Sequence, residues 1–532
     1  MKLTTLYSPF WGLGGLLRKM KNINTLLVCL SLVIFTTSCD DYLSTQPDNR
    51  TQLNTVEKIT QLLVSAYPDA NIARIAELSS DNFIDNNAIL AVNLSSFDRI
   101  DDQTFAWEPS TASMEQDSPS YIWEKCYAAI AAANHALAAI ETLQAADPSL
   151  DMQHQKGEAL LCRAYSHFIL VNIFSQTYKD SISSLSDLGV PYSIEPEKVV
   201  KGNFSRETVT SVYSNIQKDI ENGIGLINDQ KYNLPKYHFN TKAAAAFAAR
   251  FFLYKRDYAK VLYYANTILG SNPALLMRDW NKTYTTGSEI GYDYIKTEFP
   301  CNFLIIPTSS LFDRLFPMRY SHNGDAMNST TTGEGPTWVG SETPCFKGKL
   351  LYNGDGASFG FHFPKCNEMF EYTDKIAGIG FTHVVRAEFT AEETLLCRAE
   401  ALIYLNRIPE AVADLQVWNK SHLVTNTLTE SNIKNFYTSA RPLYAKKLNT
   451  DKLSTDFVVN ATQEPFIHCV LHFRRLETLF DGYRWFDIKR YGIEIEHRIG
   501  RNTLDILAYD DYRRAIQIPA EVIAAGMTPN PR

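Results

Sequence analysis

Arg474–Gly492 reads RRLETLFDGYRWFDIKRYG. Leu476, Leu479, Phe480 and Tyr483 recur at helical spacing, and Gly482 interrupts the run before Tyr483, Trp485, Phe486 and Ile488. Basic and acidic residues thread through this apolar material: Arg474, Arg475, Asp481, Arg484, Asp487, Lys489 and Arg490. Such a density suits a helical plug with buried rings and with charges paired at its rim. Buried aromatics usually pack, so core is the expected use of this stretch and an active site is not.

Working outward, the pattern is helical over most of the chain. Thr55–Tyr67 sets Val56, Ile59, Leu62, Leu63 and Tyr67 on one face. Tyr121–Leu143 is rich in Ala and lacks Gly and Pro, and Gln155–Phe174 is apolar nearly all round, as a central helix would be. Glu207–Leu226 with Thr241–Lys255, then Tyr258–Leu269, then Ala391–Leu405 with Ile408–Trp418, repeat the hairpin pattern. RAYSHF, ARFFLYKRDYAKVLYYA and CRAEALIYLNRIPEAV mimic tetratricopeptide repeats loosely, without the full signature. The fold expected is mainly α, a tetratricopeptide-like helical-repeat core carrying an irregular loop and short-strand subdomain.

That subdomain is Ser271–Glu388, which holds about half of the 25 Gly, with short β-like runs such as Asn302–Ile306. Arg513–Pro519 reads as a strand and Ala520–Ala525 as a short helix. No Pro/Gly/Ser-rich linker separates independent cores in these 532 residues.

The N-terminus is of another kind. Lys21, an apolar run Leu26–Phe35, and Thr36-Thr37-Ser38-Cys39 form a secretory signal. The run is shorter than the roughly 20 residues a membrane span needs. Met20 is the expected start of that signal, and Cys39 the expected site of lipid attachment. Two or more acyl chains there would anchor the protein stably. The seven cysteines left beyond Cys29 and Cys39 include no CxxC pair, which indicates neither a disulfide framework nor a zinc site. Cys126, Cys162 and Cys397 lie in apolar helical patterns as small core residues. A net charge of −8 and the lack of a basic run argue against a nucleic-acid partner.

The Arg474–Gly492 stretch is similar to a block, RR.EL.FEG.RW.DL.R.G, of the SusD/RagB outer-membrane lipoproteins of the Bacteroidota. Cys39-Asp40-Asp41-Tyr42-Leu43 resembles the opening of their mature chains, and Thr55–Tyr67 their first helix. The resemblance implies a cell-surface lipoprotein that captures oligosaccharide and passes it to a SusC-like TonB-dependent transporter, with outer-membrane lipid held through Cys39. It implies five segments: 1–38 signal, 39–52 lipidated tether, 53–270 helical repeats, 271–387 insertion near the ligand, and 388–532 completing the same body. A peptide-binding uptake lipoprotein, a surface glycosidase and a pure scaffold are the rival readings.

No GxSxG, HExxH, GxxxxGK[ST] or strand-borne GxGxxG is present, so the reading is of a binder with no catalytic residue and no cofactor. A calcium clip at Asp81–Asn87 lacks EF-hand spacing, and loop turns are the expected use of those residues; no metal site is expected. A pyranose offers apolar C–H faces and a rim of hydroxyls, which call for exposed rings and planar hydrogen-bonding groups. Ser79–Trp107 supplies Asp81, Asn82, Phe97 and Arg99, and the insertion supplies Trp280, Tyr284, Arg319, Tyr320 and Trp338. Trp338 is the leading platform because Gly333, Gly335, Pro336 and Gly340 suggest an exposed loop; Trp107 ranks lower. The resemblance places the ligand between these two regions.

Overall fold

The computed structural model describes residues 52–89, 92–111, 115–197, 204–280, 290–315, 318–339, short pieces between 344 and 365, 367–438 and 443–532. Cys39, the signal, the tether through residue 51 and Tyr284 lie outside the described residues. Asn54–Arg532 forms one compact unit.

Helices α1 (Val56–Leu63), α2 (Ala73–Ser79) and α3 (Arg99–Phe105) precede a long antiparallel pair, α4 (Pro119–Ala146) and α5 (Gln153–Phe174). Pro119 sits in the first turn of α4, where its missing N–H costs nothing, and Ser118 caps the helix onto Tyr121 N. Helix α5 is buried along nearly its whole length. It reaches α6 (Val209–Gly223) through two facing glycines: a Cβ on Gly157 would stand 2.8 Å from Gly223 O. The stack continues through α7 (Thr241–Lys255), capped by Asn240, and α8 (Tyr258–Leu269), capped by Asp257. It ends in α9 (Ala391–Tyr404) and α10 (Ile408–Ser421).

The pentapeptide Leu-Leu-Cys-Arg-Ala occurs twice, at 160–164 in α5 and 395–399 in α9. Both arginines do the same work. Arg163 forks onto Asp219 of α6 at 2.7 Å and 2.7 Å, and Arg398 forks onto Asp414 of α10 at 2.8 Å and 2.7 Å. Each of these two helix pairs, α5 with α6 and α9 with α10, is therefore clasped by its own buried bidentate pair. Cys162 and Cys397 beside them are buried free thiols, as is Cys126.

The described part of the insertion holds strands. Strands β2 (Asn302–Thr308), β4 (Glu368–Asp374) and β5 (Ile379–Thr390) form an antiparallel sheet in the order β2-β5-β4, and β5 runs directly into α9. A smaller pairing joins β1 (Ile84–Asp85) to β3 (Tyr320–Ser321). Near the C-terminus β6 (Ile495–Ile499) and β7 (Thr503–Leu507) form a hairpin. Arg513–Pro519 is not a strand: Tyr512–Arg514 is a 3-10 turn, Ile516 N donates to Ile173 O at the end of a helix, and among the described residues no strand pairs with it. Ala520–Ala524 is helical.

The quoted block forms the end of α11 (Glu464–Glu477) and all of α12 (Tyr483–Tyr491). Gly482 turns the chain between them with φ +85°, and a Cβ there would meet Ala76 Cβ at 2.9 Å. Its rings are buried as expected; its charges are not at a rim. Glu400, Arg474, Asp487 and Arg490 are all at most 5% exposed. Arg474 Nη1 lies 2.6 Å from Glu400 and 3.1 Å from Asp487, and Arg490 bridges the same two acids. Burial alone would raise the Glu400 carboxyl, but Arg490 and Arg474 outweigh it and hold it at about 2. Removing any one member would strand the others without water, which is why such clusters come as complete sets.

Candidate functional site

The chain turns out of α2 through Asp81–Asn87 and pairs with the insertion. Ile84 and Asp85 oppose Ser321 and Tyr320, Asn86 N donates to Arg319 O at 2.9 Å, and Arg319 N donates to Ser95 O at 3.2 Å. This seam places Arg319 at the surface. Its guanidinium forks onto Asp85 (3.0 and 2.7 Å) and reaches Asp102 at 3.2 Å. Asp102 also accepts from the Tyr320 hydroxyl (2.7 Å) and from Ser96 (2.8 Å). Burial and this acceptor push the Tyr320 phenol well above its usual range, so it stays a donor. The Asp102 side chain remains 41% exposed and Arg319 22%.

Phe97 and Arg99 stand beside this group because of a helix start. Asp98 caps α3, accepting from Ile100 N at 2.8 Å, while Asp101 reaches back to Asp98 N at 3.3 Å. Fully buried Arg74 holds both acids, at 2.6 Å from Asp98 and 2.8 Å from Asp101. Its guanidinium lies 5.4 Å from the centre of the Phe97 ring, which is half-buried; Arg99 is exposed. The strip thus offers one ring, one free-standing guanidinium and a connected set of donors and acceptors.

Asp81 and Asn82 face inward instead. Asp81 takes both donors of Arg484 at 2.8 Å and 2.9 Å and lies 2.8 Å from Lys446. Burial would raise its carboxyl, yet Arg475, Arg484 and Lys446 prevail and hold it well below the usual carboxylate range. Asn82 accepts from Arg475 at 2.7 Å and donates to Glu77 at 2.7 Å. These two residues tie the early loop to the terminal helix pair and spend their hydrogen-bonding groups there. Their turn is a clasp, and among the described residues no group of His, Cys, Asp and Glu could hold a metal ion.

The tryptophans do not join the seam. Trp338 is 1% exposed, with its Nε1 donating to Gly333 O at 3.1 Å and its ring 5.5 Å from Phe473. The glycines that suggest an exposed loop let the backbone fold tightly onto the indole: a Cβ on Gly335 would lie 2.2 Å from it. Trp280 is equally buried, 5.6 Å from His422. Trp107 stacks on His497 at 4.1 Å and donates to Ser79 O. Asp102, central to the seam, carries no sequence signal of its own, since its partner Arg319 is 217 positions away, and Ser96 enters only through Asp102.

A stack of helical hairpins with a β-insertion, closed by a C-terminal helical wedge, defines the architecture. The chain belongs to the SusD/RagB family. Residues 41–253 match a family model described as "Starch-binding associating with outer membrane", and residues 350–519 match the model of the SusD family. No curated protein matches the sequence. Among solved structures, a SusD superfamily protein of Bacteroides thetaiotaomicron is 18% identical with a TM-score of 0.60, over 90% of this chain and 100% of that one. A SusD superfamily protein of Bacteroides vulgatus is 17% identical with a TM-score of 0.58, over 89% and 97%. A SusD-like carbohydrate binding protein, also of Bacteroides vulgatus, is 14% identical with a TM-score of 0.56, over 88% and 96%. At these identities the likeness is one of fold. Among the described residues no helix is long and apolar enough to cross a membrane.

Proposed function

We propose that this protein is a cell-surface lipoprotein, anchored through lipid on Cys39, that binds oligosaccharide without transforming it and delivers it to a SusC-like TonB-dependent transporter. Family membership supports the binding role, and the word starch in the description of one matching family model supports the ligand class. A solved neighbour described as carbohydrate binding points the same way. The observation that carries the reading is the seam. There the half-buried Phe97 ring and exposed Arg99 flank the cap of a helix whose Asp102 pairs with Arg319, and those two side chains keep 41% and 22% exposure with which to meet hydroxyls. A sugar's apolar face would lie on the ring and its rim on the guanidinium and carboxylate.

Affinity-gel retardation of the lipid-free chain Asp40–Arg532 on plant, mucin and host N-glycan polysaccharides tests this. Retention by one glycan, weakened about tenfold by Phe97→Ala with Arg99→Ala, is the expected result. Retention on none of them would move the ligand class to peptide.

A further inference from the structure

A second concave surface lies away from the seam and shares no residue with it. It is a groove of about 530 Å³ between the N-terminal helices and the insertion, a volume in the range of small-molecule sites. Its construction follows from local sequence. Ala128 and Ala129 of α4 leave the floor low, and Pro307 of β2 lacks the N–H with which that strand could take on another. One rim is Tyr237, 43% exposed. The other is the β4–β5 hairpin, where Glu371 opposes Phe381 and Met369 opposes His383, so that Phe381 and His383 share a face. Phe381 is 48% exposed.

We infer that this groove is a separate binding site for a short neutral oligosaccharide, held between the Tyr237 and Phe381 rings. Three observations point to that class. Both rims present half-exposed rings, as stacking on pyranose faces requires. His383 Nδ1 is buried without a hydrogen-bond partner, and Glu371 Oε2, at 4.0 Å, is too far to serve; a sugar hydroxyl would satisfy the imidazole. The charges do not favour an ion. Asp69 is occupied by Ser309 and Tyr121, and the groove's lysine, Lys125, stands opposite in sign to Glu371. The inference rests on the glycan-binding reading but uses none of the seam's residues.

The same polysaccharide gels separate the two sites. Tyr237→Ala with Phe381→Ala should weaken retention about tenfold or more while leaving the thermal midpoint unchanged, since both rings are half-exposed. Ala128→Trp, which fills the groove from an exposed helical position, should do the same by exclusion. Loss in both groove variants establishes the site whatever Phe97→Ala with Arg99→Ala does. Groove variants that run like the unmodified protein overturn it, and the seam variant then decides the proposed function alone. No retention of the unmodified protein on any gel overturns both.

Discussion

Asp81 accepts both donors of the Arg484 fork, at 2.8 Å and 2.9 Å, across a sequence separation of 403 residues. Lys446 and Arg475 share the same carboxylate, at 2.8 Å and 3.7 Å. One acid therefore holds three cations and joins the first loop to the last helix pair. Asp81→Ala should cost about 3–5 kcal/mol in urea unfolding, because it leaves those cations together with little water. Its folded carboxyl is depressed below the unfolded value. Its stabilisation is then complete above the unfolded pKa and lost as pH falls through the folded one. The variant should show a shallower acid limb than the parent, and equal limbs would refute this account.

Glu77 gives the opposite sign. Burial pushes its carboxyl from 4.5 up to about 7, against hydrogen bonds from Asn82 and Gly482 N. Between those two values the folded state keeps a proton that the unfolded state has released, so stability falls as pH rises, by about 3 kcal/mol in all. Glu77→Gln should therefore gain more on the parent at pH 7.5 than at pH 4.5. The same gain at both would show that Glu77 ionises freely in the fold.

Trp338→Ala should act on the fold. Its indole is 1% exposed and fills a space bounded by His472, Phe473 and Gly335. Truncation should cost about 3–5 kcal/mol in thermal or urea unfolding. A variant as stable as the parent would mean that the ring is not packed there in solution.

Arg99→Ala should separate binding from stability. The side chain is exposed at the start of a helix whose cap is Asp98, so unfolding should change by about 0.5 kcal/mol or less while glycan retention weakens. Arg99→Lys keeps the charge and loses the fork, so intermediate retention is expected. Full retention in both variants would remove Arg99 from the site.

What was legible in the sequence was local. Thr241–Lys255 and Tyr258–Leu269 appear with the limits their pattern gives, because Asn240 and Asp257 cap them and Gly270 ends the second. Arg513–Pro519 misled because β-like residues say nothing about a partner, and the partner here is a helix end. Trp338 misled because glycines serve exposed loops and tight folds over a ring alike. The burial of Arg474 and Arg490 depends on Glu400, which no spacing within the block reveals. At the candidate site, Phe97 keeps a half-buried ring and Arg99 an exposed side chain on either side of the Asp98 cap. Asp81 and Asn82 have the same polar character, yet distant arginines claim them.

The twin Leu-Leu-Cys-Arg-Ala clasps have a consequence for the order in which the chain folds. Arg163 finds Asp219 at a separation of 56 residues and Arg398 finds Asp414 at 16, whereas Asp81 waits for Arg484 at 403. Closing a loop grows costlier with its length, and contacts of long range form late. Each of these two helix pairs can lock itself while the chain is still incomplete. By that ordering the seal between the two ends forms after the clasps, and a product cut short before α12 should be cleaved sooner than the full chain in limited proteolysis.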